Sequence, residues 1–281
     1  MTIQLGKAES VEAATAGLPL SAQQASYSKF LESRKQVEAK LSKVRHRIGV
    51  YSGKGGVGKT TIAINLAKAL QQNGFKVGLF DADMDCPNLH LLLGIDAAAS
   101  DADQLRIPAE KDGLKAVSMG FIESSKEKAS IWRGPILSSA IIQLLSIVEW
   151  GELDYLIIDF PPGTSDAPLT IMQQVTLDGF VIVTQPQAVA VNDAVKSANM
   201  ARELGISILG IIENMSGEVF GSGGGEQAAK NLGVSFLGRV PLDSSIRECG
   251  ELGEIATEVI PNYGELFGKI AEKLIAGHTK V

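Results

Sequence analysis

Ile48-Gly49-Val50-Tyr51-Ser52-Gly53-Lys54-Gly55-Gly56-Val57-Gly58-Lys59-Thr60-Thr61 is the stretch that decides the fold. A short apolar run leads into a turn of the pattern G-x-x-x-x-G-K-[ST]. Ile62, Leu66 and Leu70 then mark a helix that ends at Gly74. The residue types follow from the chemistry of phosphate. Glycines let the backbone turn so that successive N–H groups face phosphate oxygens, and the start of a helix adds the positive end of its dipole. Lys59 is placed to reach β- and γ-phosphates, and the Thr60 hydroxyl to take a position on Mg²⁺. Gly53, Lys54, Gly55, Gly56, Val57, Gly58 and Thr61 complete the cradle. The strand before it and the helix after it separate this loop from a merely flexible glycine run.

Outward from this loop, short apolar runs alternate with longer segments of helical period. The runs are Ile48–Tyr51, Val77–Phe80, Tyr155–Ile158, Phe180–Val183, Ile206–Ile212 and Val234–Leu237; Ile141, Leu144, Leu145 and Val148 typify the helical segments. Strands apolar on both faces and separated by helices predict an α/β fold with a doubly wound, mainly parallel sheet covered by helices on both sides. No internal repeat is visible. One domain is expected over residues 47–281, with residues 24–46 forming a basic helix before it and residues 1–23 a flexible tail.

A magnesium–nucleotide site needs a carboxylate at the end of a neighbouring strand. Asp159 ends the run Leu156-Ile157-Ile158 and precedes Phe160-Pro161-Pro162-Gly163-Thr164, the position of an Asp that holds Mg²⁺ followed by a loop near the γ-phosphate. Alone it could cap the next helix; beside the phosphate loop it reads as a metal carboxylate. Asp81-Ala82-Asp83 ends the second strand, where turn residues would also fit.

The 281 residues carry 26 basic and 32 acidic side chains, a net charge of −6, with 45% hydrophobic residues. That composition excludes disorder, collagen and a disulfide scaffold. Two cysteines, Cys86 and Cys249, form no C-x-x-C pair and suit a reducing compartment. No apolar run is long enough for a membrane span, and the N-terminus lacks the apolar stretch of a signal peptide, so a cytoplasmic protein is expected. Residues 24–47 hold seven cations against two carboxylates, so a basic leader precedes an acidic body. Tyr27, Phe30, Val37, Leu41 and Val44 fall at helical spacing. Two short heptads could pair with a second chain, but a helix lying on its own domain is preferred, because coiled coils want more heptads. The body shows no aromatic-interleaved basic surface, so a nucleic-acid partner is not expected. The apolar face of Tyr263–Ala276 reads as a packed terminal helix rather than a membrane-binding one, because its other face mixes Glu265, Lys269, Glu272 and Lys273.

Lys54, extra to an ordinary phosphate loop, reads as a solvated lysine or as a second cation for the nucleotide. With it the loop resembles that of the MinD/ParA/nitrogenase-iron-protein group of dimeric ATPases, the deviant Walker A class. Ser118-Met119-Gly120-Phe121, Ile131-Trp132-Arg133-Gly134-Pro135, Trp150 to Tyr155, Asp159 to Asp166, Glu213-Asn214-Met215-Ser216, Gly223-Gly224-Gly225 and Val240-Pro241-Leu242-Asp243 resemble the Mrp (ApbC) family within that class, over residues 47–275. The resemblance implies a homodimeric, slowly hydrolysing switch ATPase that carries or scaffolds iron–sulfur clusters. ATP and Mg²⁺ would be its cofactors, and iron–sulfur assembly or acceptor proteins its partners. It implies that Lys54 reaches across the dimer, that Asp83 orients the attacking water with Asp81 in support, and that Asn214 contacts adenine.

Three departures stand out. After Ser216 the family has a longer segment with Cys-x-x-Cys, two of which would bridge a [4Fe–4S] cluster; here Gly217-Glu218-Val219-Phe220-Gly221-Ser222 is short and cysteine-free. The N-terminal cysteines of some relatives and the acidic N-terminal domain of others are absent too. Finally, Met84 to His90 is partly MinD-like. Cys86 and Cys249 would supply four thiols per dimer, but each reads more simply as a small, partly buried thiol. His46, His90 and His278 show no metal spacing. A binding module that uses nucleotide without hydrolysing it and a MinD/ParA-like regulatory or positioning ATPase without a cluster are the competing expectations.

Overall fold

The computed structural model describes residues 20–84, 86–95, 104–121, 134–164 and 166–278. The chain begins with α1 (Leu20–Lys40) and continues as β1 (Val44–Tyr51), α2 (Lys59–Gln72), β2 (Val77–Asp81), α3 (Leu89–Leu92), β3 (Ala109–Lys111), β4 (Leu114–Val117), α4 (Gly134–Ile147) and β5 (Leu153–Asp159). Then come α5 (Asp166–Gln174), β6 (Gly179–Thr184), α6 (Ala188–Glu203), β7 (Ile208–Ser216), α7 (Gly224–Leu232), β8 (Phe236–Pro241), α8 (Ser244–Leu252), α9 (Ala256–Val259) and α10 (Pro261–His278).

The strands form one sheet in the order β3-β4-β2-β5-β1-β6-β7-β8. Every pair is parallel except β3 with β4 at the edge. Every residue of β2 and β6 is buried, which is why these strands read as unbroken apolar runs. β1 lies between β5 and β6, where the strand order reverses, so the loop leaving β1 opens into the crevice such sheets use for ligands. Below that loop the rings of Tyr51, Phe160 and Phe180 pack with centroids 4.8–6.0 Å apart. Gly49 makes room for them: a Cβ there would stand 2.2 Å from the Phe180 ring.

The doubly wound expectation holds, with differences in detail. The leader helix starts at Leu20 and stops at Lys40; Val44, Arg45 and His46, expected in it, open β1 instead. Val44 pairs with Leu153 and His46 with Tyr155, so the sheet claims these residues whatever their helical spacing. The helix lies on its own body against α4 and α5, burying Val37 and Leu41. Ser33 donates to Gln174 at 3.3 Å, and Arg47 and the Thr176 amide both reach Glu38. The expectation for residues 1–19, and the Ile131-Trp132-Arg133 motif, lie outside the described residues. Short strands β3 and β4 escaped the sequence reading because Ala109–Lys111 is polar and Leu114–Val117 spans four residues. α10 packs Tyr263, Phe267, Ile270 and Leu274 into the core. Among the described residues no helix is long and apolar enough to cross a membrane.

Candidate nucleotide site

The site is built from the C-terminal ends of five strands. β1 delivers Gly53 to Gly58, and α2 starts directly at Lys59. Gly58 has φ +80°, and a Cβ there would meet the Asn214 amide at 2.3 Å, so this position needs glycine twice over. No described residue accepts from the amides of Gly55, Gly56, Val57 or Gly58. Such a run of free donors at a helix start is an anion cradle.

β5 delivers Asp159, which is fully buried. The Lys59 ammonium donates to its Oδ1 at 2.6 Å and the Thr60 hydroxyl to its Oδ2 at 2.5 Å. Hard oxygen donors and an ammonium thus meet at the rim of the glycine loop, a donor set that suits Mg²⁺ and phosphate together. The loop after Asp159 is pinned from below: Tyr51 Oη donates to the Gly163 carbonyl at 2.5 Å, and the Gly163 amide to Ser52 O at 3.0 Å. Burial pushes the Tyr51 phenol up to about 12, so it keeps its proton as donor.

β2 delivers Asp81, and Asp83 two residues on lines the same cavity as the loop. Asp81 is buried beside Asp159 in register. Burial first and the Asp159 charge second push its carboxyl upward, partly offset by Ser118, Lys59 and the Asp83 amide. Lys54 is half-buried on the cavity wall, and no described residue pairs with its ammonium. Its carbonyl takes the Ser52 hydroxyl at 2.9 Å.

β6 and β7 brace the loop from the other side. Asn214 Nδ2 donates to Val57 O at 2.8 Å, and Gln185 Nε2 to Gly56 O at 3.3 Å and to Met215 Sδ at 2.9 Å. Met215 itself holds φ +58°, an uncommon conformation for such a side chain. Gln185 was missed in the sequence; its signal is a polar residue directly after the strand Gly179–Thr184. Glu213, quoted above in the Glu213–Ser216 motif, had no role assigned to it. Fully buried, it accepts from Ser216 Oγ, the amides of Gly223 and Gly225, and Arg239 Nε at 2.7–3.0 Å. Burial alone would raise its pKa, but these donors bring it below the usual carboxylate range.

The phosphate cavity measures about 640 Å³. A second cavity, about 570 Å³, shares Gly58, Thr61, Leu91 and Leu92 with it and extends past Asn214 to Leu242, Ile246 and Arg247. Together they have the polar and the apolar part that a nucleotide requires. A depression of about 660 Å³ at the opposite end of the sheet, around Gln71, Lys76 and Lys115, has the size without such convergent groups.

The family match is as extensive as the geometry implies. Residues 43–275 match the family described as ParA, NUBPL iron-transfer P-loop NTPase. The chain belongs to that family. The iron-sulfur cluster carrier protein of Methanocaldococcus jannaschii is 47% identical, over 85% of this chain and 87% of that protein. Its namesake from Pyrococcus horikoshii is 40% identical, over 87% and 90%. Among solved structures, a nucleotide-binding protein from Archaeoglobus fulgidus in complex with ADP superposes with a TM-score of 0.67 at 34% identity, covering 83% of this chain and 96% of that one. The septum site-determining protein MinD of Pyrococcus horikoshii, complexed with Mg-ADP, gives 0.64 at 26% identity, covering 85% and 100%. This chain is accordingly an ATP-binding P-loop ATPase of the deviant Walker A class, related both to iron–sulfur carriers and to MinD/ParA ATPases.

A [4Fe–4S] cluster asks for four thiolates, and the family's carriers raise the question of where they would come from. Cys86 is exposed on the phosphate cavity. Cys249 is buried in α8, where burial and then Glu254 and Glu248 push its thiol up, against the thiolate a cluster needs. Residues 217–222 form a turn closed by two backbone bonds between Gly217 and Gly221, with no sulfur in it. Among the described residues no group of three or more His, Cys, Asp or Glu could hold a metal ion. The donor set does not fit the cluster.

Proposed function

We propose that the chain binds MgATP at the β1 loop and hydrolyses it slowly as a dimeric switch. The observation that carries this reading is the meeting of Lys59 and Thr60 on Asp159, at 2.6 and 2.5 Å, beneath a loop of free amides. The loop amides and Lys59 hold the β- and γ-phosphates, and Thr60 and Asp159 hold Mg²⁺, which neutralises charge that develops on the phosphates. Asp83 orients the water; a carboxylate of ordinary basicity suffices, because the nucleophile needs orientation more than deprotonation. Asn214 stands where the phosphate and apolar cavities join and contacts the adenine base. Lys54, without an ion-pair partner among the described residues, reaches the nucleotide of a second subunit. Loss of the γ-phosphate releases the loops that carry Asp83 and Pro161–Thr164, which is the switch.

ATP turnover and ATP-dependent dimerisation test this directly. Lys59→Ala should lose turnover by about 100-fold or more, and Lys54→Ala should abolish dimers that wild type forms with ATP. Turnover of Lys59→Ala equal to wild type sinks the reading.

The names of the relatives favour work on iron–sulfur clusters, with assembly or acceptor proteins as partners in the cytoplasm. The placement of Cys86 and Cys249 favours a second reading, a regulatory ATPase of the MinD/ParA kind that carries no cluster. Anaerobic reconstitution decides between them: the second reading expects no stoichiometric iron. A cluster that vanishes in the Cys86→Ala/Cys249→Ala double variant would overturn it.

A further inference from the structure

Asp81 makes no bond to the phosphate loop, yet its buried carboxylate gathers three donors. Its Oδ1 accepts the Asp83 amide at 3.1 Å; its Oδ2 accepts the Ser118 hydroxyl at 2.8 Å and, as a longer arm, the Leu89 amide at 3.4 Å. Asp83 and Leu89 stand on either side of the Met84–Asn88 segment, from which Cys86 and Asn88 line the phosphate cavity together with Asp83. Leu89 opens α3, whose Leu91 and Leu92 form the wall shared by the two cavities. Ser118, fully buried after β4, is held in turn by the Gly120 amide, which donates to its Oγ at 3.1 Å. Burying a carboxylate is costly unless its oxygens are filled. Here the filling donors are the two amides flanking the loop and a hydroxyl fixed to the neighbouring strand.

We infer that Asp81 is a positioning residue for hydrolysis: it ties the Asp83 and Leu89 amides to Ser118, so that Asp83 is held facing the phosphates. The inference rests on the role proposed for Asp83, and it separates the two aspartates of the Asp81-Ala82-Asp83 segment. Asp83 meets the reacting water, whereas Asp81 acts only through Asp83 and α3. An Asn at position 81 keeps one acceptor oxygen but puts an NH₂ group where Leu89 N–H needs an acceptor.

Two measurements on the full chain test the clamp. The first needs no nucleotide: amide hydrogen exchange over residues 82–92 should quicken by about tenfold in Asp81→Asn and less in Ser118→Ala, with the phosphate loop unchanged. The second is kinetic. Asp81→Asn should lower kcat by about 30-fold while the MgATP Kd stays within about threefold. The double variant Asp81→Asn/Asp83→Asn should be no slower than Asp83→Asn, because the two act in series. Unchanged exchange, losses that multiply in the double variant, or a Kd that weakens in step with kcat would each overturn the inference. Should Asp81→Asn fail to fold, Ser118→Ala carries both measurements. If wild type hydrolyses no faster than Lys59→Ala, it is the ATPase reading that fails, and the exchange measurement still decides the clamp.

Discussion

Asp159 and Glu213 are both fully buried carboxylates near the C-terminal ends of parallel strands, yet they answer to different partners. Asp159 is satisfied by Lys59 and Thr60, two side chains of the phosphate-binding segment that a ligand would also engage. Glu213 is satisfied by Ser216, Gly223, Gly225 and Arg239, which belong to the turn after β7, the start of α7 and β8. On the function proposed above, the first carboxylate serves the ligand, while the second holds the wall beside Asn214 in shape. Burial alone does not separate the two; the identity of their donors does.

That contrast can be broken experimentally. The largest effect is expected from Asp159→Asn, which should reduce ATP turnover by about 10²–10³-fold while lowering the thermal midpoint less than Glu213→Ala does, because relief of the charge beside Asp81 offsets the weaker acceptor left to the Lys59 ammonium. A large fall in midpoint would move Asp159 into the structural class. Glu213→Ala should do the reverse. It strands two amides and Arg239, at a cost of about 3 kcal/mol in denaturant unfolding, with ATP turnover per folded molecule within a few-fold of wild type.

The pH dependence of stability sharpens the same point. The Glu213 pKa lies below its unfolded value of 4.5, because its hydrogen bonds outweigh burial. Its contribution is complete above pH 4.5 and is lost as pH falls through the lower folded value. Glu213→Gln should therefore flatten the acid limb of a stability–pH curve; an unchanged limb would show that other groups govern it. The smallest effect belongs to the leader. Glu38 is partly exposed, meets Arg47 and the Thr176 amide, and is likewise held below its usual range by those bonds against its burial. Glu38→Ala should cost about 0.5–1 kcal/mol. A loss as large as that of Glu213→Ala would make α1 an integral part of the core.

Much of the phosphate side could be read in advance. Gly53–Thr61 announces itself because amides that grip phosphate must be consecutive, and Asp159 because a polar residue ends an apolar strand. The other side could not. Arg239 carries no local pattern, Glu213 stood in a motif that gave it no role, Gln185 is marked only by its place after an apolar strand, and the leader's boundary shifted because Val44 and His46 found partners in β5. Asn214 was marked through family likeness, but its bond to Val57 O was not foreseeable.

The amino-acid order alone thus determined the class of ligand, the doubly wound layout and the glycine loop proposed to bind phosphate, since each rests on spacing within a few residues or on strand and helix periods. Tertiary structure decided which polar groups meet. Glu213 finds Arg239 26 residues away, Asp81 finds Ser118 37 residues away, and Gln185 finds Gly56 across 129. Such pairs form only when parallel crossovers bring distant strand ends side by side, and no period along the chain encodes that juxtaposition.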